Sequence, residues 1–181
     1  INNEGDVSFV ACTKEKYEFT ESWKEEGSYN DLLDDFSTYD PKIFPVIEDS
    51  MKLYKWGIYI RPPLKSMIAH NLTLVGDAAH PMVPFIGQGA CMAIEDAYAF
   101  GILCKIQNGD FSAAQKVFNA VRSSRTKKIQ RRSMMQGKIY HMKNPVLVAA
   151  RNAAMRYTNI PGNDLKSIHE YDAEDAIKFI S

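Results

Sequence analysis

Residues 74–97, LVGDAAHPMVPFIGQGACMAIEDA, hold the residue types and spacings most able to do chemistry. An apolar run ends at Gly76-Asp77, which brings a carboxylate out at the carboxyl end of a strand, where open α/β sheets place ligands. A carboxylate there only accepts hydrogen bonds, so it suits a ligand with hydroxyls to donate, such as a ribose or ribityl chain. Gly87-Gln88-Gly89-Ala90 then opens a helix, with free amides and the positive end of the helix dipole facing whatever lies before them. Glycine and alanine at that point let a flat or anionic group approach the backbone. Pro81 and Pro84 stiffen the loop between and remove amide donors that would need partners. A carboxylate for hydroxyls, followed by donors for an electron-rich oxygen, fits a sugar-linked redox ring whose developing negative charge the amides would stabilise.

Other chemistries fit less well. Asp77 and His80 stand three apart, but no third ligand has a suitable spacing, so no metal is expected. Cys12, Cys91 and Cys104 show neither a disulfide framework nor a metal-ligand spacing, which points to a reducing compartment, the cytoplasm. The basic run RSSRTKKIQRRSMMQGK (122–138) reads as a solvated helix face, since no recognition fold accompanies it; a nucleic-acid binder is the weakest reading. Its cations could instead attract an acidic substrate, a nicotinamide cofactor or the acidic first fifty residues, which carry thirteen acids against four lysines. The chain has no formal net charge, so nothing calls for nucleic acid or an anionic membrane, and no apolar run is long enough to span one.

The elements that must position this turn follow from periodicity and capping. DVSFVACT (6–13) alternates like a strand, with YEFT (17–20) as a hairpin partner. Ser28 caps a short helix carrying Leu32, Leu33 and Phe36; Asp40-Pro41 starts a second, which Pro45 weakens. LYKWGIYIRPP (53–63) and the apolar NLTLVGD (71–77) read as strands, the latter covered on both faces. From Gln88 to about Gln107 a helix presents Ala90, Ala93, Ile94, Ala97, Gly101 and Cys104 along a small-residue face, and Asn108-Gly109 ends it. Asp110 caps a long helix to about Met142, with a seam of Phe111, Ala114, Phe118, Val121, Ile129 and Tyr140. Pro145 opens another, and Asp172 caps a last short one. Strands first, a strand–turn–helix in the middle and helices after make an α+β or α/β fold.

Residues 72–98, LTLVGDAAHPMVPFIGQGACMAIEDAY, resemble the second flavin-binding motif of the FAD-dependent aromatic-ring monooxygenases, the group of salicylate hydroxylase, 3-hydroxybenzoate 6-hydroxylase and para-hydroxybenzoate hydroxylase. ESW (21–23), YIRPPL (59–64), VFNAVRSSR (117–125) and IHEYDAEDA (168–176) are similar to that family in the same order. The resemblance implies that Asp77 bonds the ribityl chain of FAD, with Gly76 giving it room, and that Pro84 sits by the reactive edge of the flavin. Gly87, Gln88, Gly89 and Ala90 would face the pyrimidine side. Glu95 and Asp96 match an acidic pair, read as structural and pairing with Arg122 or Arg125; His80 receives no catalytic role. Trp56, Tyr59 and Phe85 are candidates to line a substrate pocket. Such enzymes use NADH or NADPH and oxygen to hydroxylate a small aromatic substrate, and some pair as homodimers.

The family's G-x-G-x-x-G turn for the ADP pyrophosphate does not occur in the sequence, nor does its middle Asp-Gly motif, and the chain opens at Ile1 rather than methionine. The expectation is therefore the carboxyl-terminal half of such an enzyme, inactive without the missing amino-terminal half. Residues 1–70 would belong to the substrate-covering sheet, 71–109 to the FAD-binding domain and 110–181 to a helical carboxyl-terminal region. The alternative is a non-catalytic remnant or interaction module that keeps the fold.

Overall fold

A computed structural model of the chain describes residues 8–13, 22, 24–50, 52–158, 166 and 168–178. They fall into two compact units, 1–58 and 59–181.

In the first unit, α1 (Tyr29–Asp35) begins where Ser28 accepts from the Asp31 amide at 3.3 Å. Asp40 accepts from the Lys42 amide at 3.0 Å and opens a 3₁₀ turn, Pro41–Ile43, that runs on into α2 (Phe44–Glu48). Pro45 does not weaken α2 as expected: it lies in the first two positions, where a missing N–H leaves no intrahelical bond unmade. Ile47 is the buried residue of this helix.

The strands differ most from expectation. Residues 8–13 are not in a strand, and the hairpin partner at 17–20 lies outside the described residues. Within 53–63 the described residues show one antiparallel bridge, Glu26 with Tyr54, flanked by Gly27 N–H to Leu53 O and Lys55 N–H to Glu25 O at 2.9 Å each. Alternation and prolines specify an extended chain, but a strand also needs a partner with matching register, and the partner's position is not local information.

In the second unit, β1 (Ile68–Ala69) pairs antiparallel with β2 (Leu72–Thr73), joined through His70 at φ +50, and Leu74 N–H adds a bond to Met67 O at 2.8 Å. The expected strand 71–77 is thus short, and Leu72 and Val75 are exposed within this chain. α3 (Gly89–Ile106) and α4 (Phe111–Tyr140) follow, separated by Asn108 and Gly109 in the left-handed region, with Asp110 accepting from the Ala113 amide at 3.0 Å. Asn144 caps α5 (Pro145–Tyr157), and Asp172 accepts from the Glu174 amide at 2.7 Å to begin α6 (Ala173–Lys178).

The core of this unit gathers Met67, Ala79, Ala99, Leu103, Phe118, Val121 and Ile177, with Phe100 edge-on to Phe118 at 5.4 Å. α3 buries Met92, Asp96, Ala99 and Leu103, not the small-residue face, whose Ile94 is exposed. α4 buries Ala114, Phe118, Val121 and Ile129 of its expected seam, but Phe111 and Tyr140 at its ends are exposed. It also buries a polar set: Gln115, Arg122, Thr126, Gln130 and Ser133. The fold is helix-rich α+β with a small two-stranded sheet.

Candidate functional site

After Val75, in extended conformation, the chain turns through a 3₁₀ segment, Gly76–Ala78. The amides of Ala79 and His80 both donate to Gly76 O, at 2.9 and 2.8 Å, so the turn is tight. Gly76 has φ +56, and a Cβ on it would sit 3.1 Å from the Ala93 Cβ of α3. Both backbone and space therefore require glycine here. Gly76→Ala should cost about 1–2 kcal/mol from the left-handed conformation alone, before the Ala93 contact is counted. A fall in the urea midpoint at unchanged slope would show it.

Asp77 is exposed, and a Cβ on Gly89 would lie 4.0 Å from its Oδ1, which places the carboxylate beside the start of α3. Between them the loop passes Val83, extended, and the 3₁₀ turn Pro84–Ile86, and reaches Gly87 at φ +63 with open space where a Cβ would be. Gln88, the N-cap residue of α3, makes no side-chain capping bond, so among the described residues the first-turn amides of Gly89, Ala90 and Cys91 have no intrahelical or capping acceptor. An exposed carboxylate, an open glycine and uncapped amides thus border one surface. That surface can offer an acceptor to hydroxyls and, beside it, donors to an electron-rich edge, which fits the ribityl and pyrimidine parts of FAD.

What holds the turn against α3 is a buried ionic network. Asp96 Oδ2 accepts from the Gly76 amide at 2.9 Å and lies 2.6 Å from His80 Nε2, while Oδ1 accepts from Arg122 Nε at 2.8 Å. Arg122, fully buried, also donates through Nη1 to Glu95 Oε2 at 2.7 Å. Arg125 bonds both Glu95 oxygens at 2.7 Å, donates to Ile168 O at 3.0 Å, and stacks over the Tyr171 ring with its guanidinium carbon 3.7 Å from the centroid. Burial alone would push the Asp96 carboxyl up, but the bonds from His80, the Gly76 amide and Arg122 outweigh it and hold the group below the usual carboxylate range. Burial likewise works against the Arg122 charge, and Asp96, Tyr171 and Glu95 together more than restore it.

The acidic pair thus meets both arginines, and Asp96 reaches back to the glycine that starts the turn. His80 is buried against Asp96. Nothing in its spacing announced that contact, because Asp96 lies beyond the whole loop. Trp56 and Tyr59 are exposed, the first in unit 1–58 and the second in unit 59–181. Phe85 packs edge-on to Tyr140 and His141, at 5.9 and 5.4 Å between centroids. The loop's contacts with Gln130, Ser133 and Gly137 of α4 had no sequence signal beyond helical spacing.

Residues 63–133, which contain the Gly76 turn, all of α3 and most of the ionic network, match the FAD binding domain family. The chain is 33% identical over 122 residues to 3-hydroxybenzoate 6-hydroxylase of Klebsiella oxytoca, an alignment that covers 67% of this chain and 31% of that protein. It spans about a third of the length of such curated relatives. A salicylate hydroxylase substrate complex superposes with TM-score 0.74 at 23% identity, over 95% of this chain and 42% of that one, which establishes the fold. Klebsiella pneumoniae HpxO, complexed with FAD and uric acid, superposes with TM-score 0.65 at 27% identity, over 72% of this chain and 34% of that one. Residues 63–133 therefore match the FAD binding domain family, in a chain similar to aromatic-ring hydroxylases such as 3-hydroxybenzoate 6-hydroxylase.

Proposed function

We propose that the full-length protein is an FAD-dependent monooxygenase that uses NADH or NADPH and oxygen to hydroxylate a small aromatic, hydroxybenzoate-like substrate. The flavin, when bound, supplies the redox and oxygen-transfer chemistry; the protein's part is to hold it, orient it and exclude water. Asp77 accepts from the ribityl hydroxyls. Gly76 gives that carboxylate its approach, and Gly87, Gln88, Gly89 and Ala90 present backbone to the pyrimidine side, where the start of the α3 dipole favours negative charge. Pro84, exposed on the loop, lies toward the reactive edge. Trp56, Tyr59 and Phe85 are assigned to the substrate side, within a division that gives residues 1–70 to the substrate-binding sheet, 71–109 to the FAD-binding domain and 110–181 to the helical region. Sequence outside this chain would supply the pyrophosphate turn.

The observation that carries the reading is the placement of the exposed Asp77 carboxylate beside the uncapped start of α3, with open space at Gly87. Asp77→Ala in the full-length protein should weaken FAD binding by roughly tenfold or more, the loss expected when a hydrogen bond to a charged acceptor worth about 1.5–3 kcal/mol is removed. The stability of the apoprotein should hardly change, because Asp77 is exposed. An unchanged FAD dissociation constant in a folded Asp77→Ala protein would remove Asp77 from the site.

A further inference from the structure

Gln130, Ser133 and Gly137, all buried, lie along one face of α4 and meet alternate residues of the loop that joins the Gly76 turn to α3. Gln130 Nε2 donates to Pro81 O at 2.8 Å and to Arg61 O at 3.0 Å. Ser133 Oγ donates to Val83 O at 2.5 Å. At the third step the Phe85 ring lies over Gly137, where a Cβ would come within 2.6 Å of Phe85 Cε2. Residues 81, 83 and 85 are thereby tied to the helix, and Pro84 between them stays exposed. Gln130 Oε1 is buried with no partner among the described residues. An unmet buried acceptor is unfavourable, and the fold accepts it where the other end of the amide serves two carbonyls.

We propose that Gln130, Ser133 and Gly137 are positioning residues for the flavin, a role that rests on the FAD reading above. Apolar contacts alone would let the loop slide along α4, whereas two directional bonds and one ring seated over a glycine fix its register. That register sets where Pro84 stands and how the chain enters Gly87–Ala90. None of the three touches the flavin; each acts through the loop.

The test uses the full-length protein with FAD as the probe. Ser133→Ala and Gln130→Met delete the hydrogen bonds and keep good helix formers. Gly137→Ala drives a methyl into the Phe85 ring, and the double variant Gly137→Ala/Phe85→Leu withdraws the ring edge that obstructs it. Phe118→Leu, in the core away from the loop, is the control for lost stability alone. The readouts are the FAD dissociation constant by fluorescence quenching, the shape of the bound flavin's visible bands, and the thermal midpoint.

Ser133→Ala and Gln130→Met should each weaken FAD binding about five- to tenfold and alter the bands. Gly137→Ala should do more, with the double variant recovering much of the loss. Phe118→Leu should lower the midpoint without changing the dissociation constant. Variants that bind FAD like the parent, or that weaken only as Phe118→Leu does at equal loss of midpoint, would reduce the row to packing and leave the FAD reading standing. Should Gly137→Ala fail to fold, Ser133→Ala decides the question. A parent protein that takes up no FAD would overturn both.

Discussion

Asp96→Ala should lower folding stability by about 3–5 kcal/mol, enough to cost a domain of ordinary stability much of its margin. The carboxylate is fully buried and satisfies three donors from three places in the chain: the Gly76 amide, His80 Nε2 and Arg122 Nε. Its removal leaves the Arg122 guanidinium buried with Glu95 as its remaining carboxylate, and leaves a buried amide and an imidazole nitrogen without their acceptor. Leaving a buried charge uncompensated is the expensive part. Urea unfolding followed by circular dichroism measures the loss. A shift comparable to that of an exposed substitution, below about 0.5 kcal/mol, would mean that the network contributes little.

Arg122→Met should be nearly as damaging, and its effect should depend on pH in a specified direction. Methionine fills part of the space but leaves two carboxylates, Asp96 and Glu95, without the cation between them. In the parent the Asp96 carboxyl titrates below its unfolded value of about 3.9, so it is deprotonated in the native state while the unfolded chain still binds the proton. The stability it contributes is thus full above the unfolded value and is lost as pH falls through the folded one. Without Arg122 the carboxylate loses one of the groups that favour its charged form, and burial works against it with less opposition. The stability gap between parent and Arg122→Met should therefore be widest near neutral pH and should narrow as pH falls from the point where the variant protonates Asp96 toward the lower one where the parent does. Urea midpoints across the acid range in which both remain folded would show this; a gap independent of pH would locate the damage in packing rather than charge.

The sequence disclosed most where the determining physics is local. Ser28, Asp40, Asp110 and Asp172 each cap the helix or turn they announce, because an N-cap needs only its own next few amides. Asn108-Gly109 ends α3 for the same reason, through left-handed conformations that those residues adopt readily. The run from Gly76 to Ala90 is legible as a candidate site because its glycines, prolines and carboxylate lie close together in the chain, whereas the pairing of Glu95 and Asp96 with Arg122 or Arg125 is an expectation that the family resemblance carries.

Where a partner elsewhere in the fold decides, the sequence is mute. Residues 53–63 alternate, yet among the described residues the β-bridge in this stretch is that of Tyr54 with Glu26, since alternation says nothing of what lies alongside. The small residues of α3 attract attention as a packing face, but the helix turns Asp96 inward because a buried carboxylate with three donors is satisfied there and an unpaired one would not be. Likewise Gln130 and Ser133 occur amid lysines and arginines and resemble a solvent face, although the carbonyls of Pro81 and Val83 make them interior. Phe111 and Tyr140 fit the apolar period of α4 and are exposed within this chain.

The central claim is that the surface from Gly76 to Ala90 holds a flavin, and the visible absorption spectrum of the full-length protein after extensive dialysis tests it most directly. Retained flavin bands that Asp77→Ala loses under the same dialysis are the predicted result. A folded, colourless parent protein that takes up no added FAD would contradict it.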